Sequence, residues 1–173
     1  MKRILRTAAL SLLIIILARP VFSQQITYGF IQSPTDPFLI TAVAYPDFTS
    51  ANVDISTAVF TFLLPEGTTT NPSVTPLPST GAFTNITGSW TVQLLTPTVW
   101  GSVGLNPATL EGKDVYQVSF NPSSATTLSL TSGTPLQLFR FRLPLDCFGG
   151  FLEVLVNNSA IQQAVLDTLG ANF

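Results

Sequence analysis

The sequence predicts an all-β domain: an antiparallel β-sandwich of jelly-roll or immunoglobulin-like type, with about eight strands and a short C-terminal helix. Three observations lead there. Runs of alternating apolar and polar residues, bounded by Pro, Gly and Asn, recur along the chain, as strands with one buried face require. Only 9% of residues are charged while 46% are hydrophobic, the reverse of a disordered chain. No crossover helices are read between the strands, which a parallel sheet would need.

The chain opens with Lys2, Arg3 and Arg6, followed by the apolar run Ala8–Ala18, eleven residues of which one is Ser11. Arg19-Pro20 then breaks the run, and Val21-Phe22-Ser23 places small residues at the −3 and −1 positions of a cleavage site. A basic start, a short apolar stretch and a small-residue cut describe a secretory signal, residues 1–23, cleaved between Ser23 and Gln24. A membrane-spanning anchor needs roughly 18 or more apolar residues, so no membrane span is expected after cleavage. No Cys stands at the cut, which disfavours a lipid anchor. The expected location is secreted or at the cell surface.

Removing 23 residues from the 173-residue chain leaves 150, residues 24–173, a length suited to a single domain with its own core. That part retains three cations, Lys113, Arg140 and Arg142, against nine acids, a formal charge of −6. So few cations give no electrostatic footprint for nucleic acid or anionic lipid. The single cysteine, Cys147, excludes an intrachain disulfide. It is expected to be buried, the alternative being a bond to another chain.

The strands follow in order. Gln25–Ile31 and Phe38–Tyr45 are candidates. In Thr57–Leu64, residues Ala58, Phe60, Phe62 and Leu64 share one face, opposite Thr57 and Thr61. Trp90, Val92 and Leu94 oppose Thr91 and Gln93, which points Trp90 into the core. Tyr116, Val118 and Phe120 alternate with Gln117 and Ser119; Thr126–Leu130 is a further candidate. Phe139, Phe141 and Leu143 alternate with Arg140 and Arg142, and Leu152, Val154 and Val156 oppose Glu153. Pro65–Ser89, with four prolines, is too long for a plain connection and is expected to be functional, mobile or to hide a short edge strand.

Near the end the period changes. Ile161, Val165 and Leu169 recur every fourth residue, Ser159 can cap the start and Gly170 the end, so a helix is expected between them. Asn106-Pro107-Ala108-Thr109-Leu110 suits a helical turn with Pro at its first position.

Catalytic equipment is scarce. The chain has no His, which removes the usual general base and, with one Cys, the zinc and triad chemistries. Paired carboxylates remain an option for glycoside hydrolysis, but most acids stand beside Pro or Gly or at strand ends, where they serve turns. The chain is therefore read as no enzyme and as needing no cofactor. Loop carboxylates could hold calcium, though no Asp-x-Asp-x-Asp-Gly loop occurs. Asn85-Ile86-Thr87 and Asn157-Asn158-Ser159 fit the N-glycosylation pattern.

Binding candidates are aromatic. Trp100 stands in the expected loop Thr96–Gly104, where an exposed indole could stack on a sugar ring; Tyr45 and Phe48, around Pro46-Asp47, are the others. Burial under the loop is the alternative for Trp100.

The succession Ala58–Gly67, a long loop, Leu138–Pro144, Gly149-Gly150 and Leu152–Val156 resembles the cohesin-like sandwiches, related in fold to cellulose-binding-type modules. The resemblance covers roughly Thr41–Asn157 and is a pattern of strand types, with no contact motif to carry over. It implies a non-catalytic recognition or adhesion module on exported bacterial proteins, with a protein module or polysaccharide outside the cell as partner. A carbohydrate-binding module and a structural spacer are the alternatives. It also implies a closing strand after Val156, so the chain is expected to be an incomplete sandwich or a domain cut from something longer, prone to self-association through an open sheet edge.

Overall fold

The computed structural model describes residues 24–55, 57–67, 72–76, 88–122, 126–143 and 151–171. The expected signal with Ser23, the Asn85 acceptor, and Cys147 with its turn lie outside the described residues.

Ten strands form among the described residues: β1 Ile26–Gln32, β2 Leu39–Pro46, β3 Ser50–Ile55, β4 Ala58–Pro65, β5 Val74–Pro76, β6 Gly88–Leu95, β7 Lys113–Pro122, β8 Thr126–Leu130, β9 Leu136–Arg142 and β10 Glu153–Val154. Every pairing is antiparallel. One sheet runs β1-β2-β9-β5 and another β10-β4-β7-β6, while β3 and β8 make a separate ribbon. The fold is an all-β sandwich. β3 was not expected, because Ser50–Ile55 carries its polar residues without strict alternation. β5 is the edge strand hidden in the long connection, and Pro76 at its end suits an edge, where a ladder donor can be missing. The last strand is shorter than Leu152–Val156: only Glu153 and Val154 pair, with Leu63 and Phe62.

The two four-stranded sheets meet through their apolar faces. Phe60, Phe62 and Leu64 of β4 and Tyr116 and Val118 of β7 pack against Ile40, Ala42 and Ala44 of β2 and Phe139 and Phe141 of β9. Small residues on β2 let the rings of the other strands fill the space between the layers. The Phe30 ring reaches in from β1 with its centroid 5.4 Å from that of Phe60 and 5.8 Å from that of Phe141. Trp90 lies against Phe120 and Phe139, at 4.9 and 4.7 Å, on the inward side expected of it. Burying each such ring contributes about 1.5–3 kcal/mol.

A second core was not anticipated. Leu63 and Val115 point away from the sandwich interior and are nevertheless buried, together with Leu95, Trp100, Leu105, Leu110, Leu155, Ile161 and Val165. Three helical pieces make this outer layer. The expected loop 96–104 contains helix α1, Pro97–Ser102: Thr96 caps it by accepting the Val99 N–H, and Pro97 needs no partner in the first turn. The expected turn is a 3₁₀ helix, Pro107–Leu110, capped by the Asn106 side chain at the Ala108 N–H. Helix α2, Ala160–Leu169, starts at Ser159, whose hydroxyl accepts the Gln162 N–H, and ends at Gly170 in the left-handed conformation, φ 64°. Its buried stripe is Ile161, Gln162 and Val165; Leu169 is exposed instead of completing the stripe. The Gln162 amide is satisfied in place, donating to the Ala171 carbonyl at 3.3 Å.

Among the described residues no helix is long and apolar enough to cross a membrane.

Candidate functional site

The three aromatic candidates do not form one surface. Trp100 is 1% exposed, so the sugar platform read from its loop is corrected: its helix turns the indole onto Leu105, Leu110 and the outside of the second sheet. An indole sealed in this way has no face to offer a ring. Tyr45 lies on the other sheet, on β2 opposite Thr27, and is 36% exposed. Its ring edge comes within 3.6 Å of where a Cβ would stand on Gly29, so the bare glycine gives it a flat seat across β1. Phe48 is half-buried in the turn after β2. That turn is held by Asp47, whose carboxylate accepts the Gln25 N–H at 2.8 Å and whose own N–H donates to the Gln25 carbonyl at 3.0 Å. Gln24, the residue expected to follow the cut, is exposed.

The structure brings together a different set. β1 and β10 are the terminal strands of their sheets and lie on the same side of the sandwich. Between them runs an open groove of about 440 Å³, lined by Gln25–Tyr28 and Val154–Asn158. None of the described residues lining it is charged. Its floor is apolar, with Ile26, Tyr28, Val154 and Leu155, and its ends carry the amides of Gln25, Asn157 and Asn158. Ile26 is 37% and Tyr28 39% exposed, high values for such residues in a strand. The Tyr28 ring stands edge-on to Phe60 at 5.3 Å, so the groove opens onto the main core. Burial raises the pKa of its hydroxyl, which keeps the phenol neutral.

The backbone matters more than the side chains here. On its outer side β1 has no neighbouring strand among the described residues, so the groups along seven residues that point away from β2 are left without ladder partners. Natural edges are normally blunted by Lys, Pro or a bulge. β1 carries no charge and no Pro, and it pairs with β2 without a register shift. The irregularity lies one strand further in, between Ala42 and Val43 of β2. Across the groove β10 covers only Phe62 and Leu63 of β4, extended by the Leu155 N–H to the Thr61 carbonyl at 3.0 Å.

A smaller hollow of about 270 Å³ adjoins the groove along Val154–Val156 and includes Glu111, Lys113 and Glu153. Lys113 donates to Glu153 at 3.0 Å, which makes this carboxylate half of an ion pair. Glu111 takes the left-handed conformation, φ 51°, as the stop of the 3₁₀ helix.

Sequence reasoning missed the groove because its two walls are more than 120 residues apart and meet only through the topology. One signal was available: the segment Ile26–Gln32 lacks Lys, Arg, Pro and every acid. Comparison with known proteins finds no match, whether among family models, curated proteins or solved structures.

Proposed function

We propose that this chain is an exported, non-catalytic recognition module that accepts an extended segment of another protein as an added strand on β1. The observation that carries the reading is the uncharged, unblunted outer edge of Ile26–Gln32 beside an apolar groove. In strand addition the main chain supplies the affinity, and alternate side chains of the ligand enter the adjoining groove to give specificity. Ile26, Tyr28 and Val154 suit an apolar side chain, and the amides at the ends suit neutral polar ones. The secretory signal read at residues 1–23 puts the partner outside the cell. The likeness of the strand succession to cohesin-like sandwiches points the same way, toward recognition of a partner.

A random peptide library displayed on phage tests this reading. The expected winners alternate apolar and polar residues, and a synthetic winner slows amide exchange across Ile26–Gln32. Thr27→Lys, which places a charge on the exposed edge while leaving Tyr28 on Phe60, abolishes their binding. No enrichment, or protection of some other strand, overturns the reading and leaves a spacer.

A further inference from the structure

A second surface lies on the outer face of the first sheet and shares no lining residue with the groove between β1 and β10. The strand registers align Ile31 with Thr41, Thr41 with Arg140, and Arg140 with Thr75, a row that crosses all four strands. Arg140 is exposed in this row. A bulge brings it a neighbour. Ala42 pairs with Phe139 and Val43 with Gln137, so Leu138 is an extra residue on β9. Without it Gln137 and Arg140, three apart, would point to opposite faces. With it both are exposed, while Leu138 and Phe139 are buried.

The result is a hollow of about 200 Å³ that holds Gln32, Thr41, Gln137 and Arg140 with Ile31 and Pro34 at its rim. The three cations among the described residues are not in the same state. Lys113 is paired with Glu153, and Arg142, the next outward residue on β9, is paired with Asp36. Among the described residues Arg140 is the one cation without an ion pair. It is thus the free positive charge on a face of a chain whose residues 24–173 total −6.

We propose that this hollow binds one carboxylate-bearing sugar residue of an acidic polysaccharide. A guanidinium presents its N–H groups as a planar fork that matches a carboxylate, and one guanidinium offsets one negative charge. A phosphate monoester or a densely sulfated ligand carries more negative charge than one guanidinium offsets. The remaining groups fit a sugar ring. The Gln137 amide and Thr41 hydroxyl both donate and accept. Gln32 donates its amide N–H to the Pro37 carbonyl at 2.8 Å, which holds the side chain in place and leaves its oxygen to accept. Ile31 and Pro34 give the C–H face of the ring an apolar contact.

Titration calorimetry of residues 24–173 with galacturonic acid oligomers tests the proposal, with the methyl-esterified oligomer and an acidic peptide as comparison ligands. The acid form is expected to bind and the ester to lose about tenfold or more in affinity, as for a lost charged hydrogen bond. Arg140→Gln is expected to match that loss, with Arg142→Gln and an unchanged near-ultraviolet spectrum as controls for the fold. Binding of the acid oligomer should weaken as salt is raised. Equal binding of the ester, no effect of Arg140→Gln, or failure of the acid oligomer to bind overturns the proposal. An acidic peptide that binds as tightly as the oligomer overturns the assignment to sugar.

Discussion

The rings of Phe62 and Phe141 lie stacked across the sandwich, their centroids 4.6 Å apart and their planes 16° from parallel. Phe62 comes from the β10-β4-β7-β6 sheet and Phe141 from the β1-β2-β9-β5 sheet, so this contact joins the two layers. On its other side Phe62 stacks on Tyr116 at 5.2 Å. The three rings form one column through the core.

Truncation at the centre of that column should be among the costliest changes in the chain. Phe62→Ala is expected to destabilise by about 3–5 kcal/mol, as large buried aromatics do. Phe62→Leu, which keeps most of the volume, should cost about half as much or less. Urea unfolding followed by tryptophan fluorescence measures both, and equal losses would contradict this expectation by showing that the stacked ring, not the volume that Leu keeps, carries the contribution.

Trp100 makes a separate statement about the outer layer. Trp100→Ala should cost about 3–5 kcal/mol, since the indole is the largest side chain under α1 and its removal leaves a cavity. The wild-type indole should resist acrylamide quenching. Fast quenching with a stability loss below about 1 kcal/mol would return Trp100 to the surface.

These two residues mark what was legible in the sequence. The inward faces of β4, β7 and β9 could be read from alternation because each of those faces meets the other sheet, and Phe60, Phe62, Tyr116 and Phe141 are where that reading puts them. Alternation assumes that the opposite face is wet. Leu63 and Val115 break that assumption, because α1, the 3₁₀ helix and α2 cover the outer side of their strands. Nothing local to Leu63 shows that Trp100 and Val165 will cover it. Helix α2 was legible because its ends carry their own chemistry in Ser159 and Gly170. The bulge at Leu138 and the meeting of β1 with Val154–Asn158 depend on pairing partners distant in sequence, so neither could be seen there.

The cap of α2 can be tested on its own. Ser159→Ala should cost about 1 kcal/mol by leaving the Gln162 N–H unsatisfied. Because α2 covers only the outer core, the loss should appear as faster amide exchange in Ala160–Leu169, with little change in β4 and β7. A uniform acceleration across the sandwich would show instead that the two cores unfold as one.

Asp36 gives a pH dependence with a defined sign. Its carboxylate accepts from Arg142 and from the Phe38 N–H, and the Arg142 hydrogen bond is the main cause that lowers its pKa. A lowered folded-state pKa adds stability above the usual carboxylate range, lost as pH falls through the folded value. Asp36→Asn should therefore lower the urea midpoint at neutral pH, and the gap to wild type should close in acid. The pair is at the surface, so added salt should shrink the gap as well. A gap that widens in acid would contradict this assignment.

The open edge of β1 predicts behaviour at high concentration. Two copies of Ile26–Gln32 can pair antiparallel about a two-fold axis, and no charge on either strand opposes it. The pairing would cover Ile26 and Tyr28 of both copies, residues now 37% and 39% exposed. Each strand is short and the groove shallow, so the association should be weak, visible at high concentration and reversed by dilution. Sedimentation velocity over a dilution series reads it directly. Thr27→Lys should hold the chain monomeric, since each copy would then bring a charge to the pairing edge, and Lys is a common guard of natural edges. Tyr28→Ala should weaken the dimer less, because the backbone groups survive the change. If the wild type stays monomeric throughout and its β1 amides exchange as slowly as those of β2, the edge is already covered. Strand addition on β1 then fails as the basis of recognition.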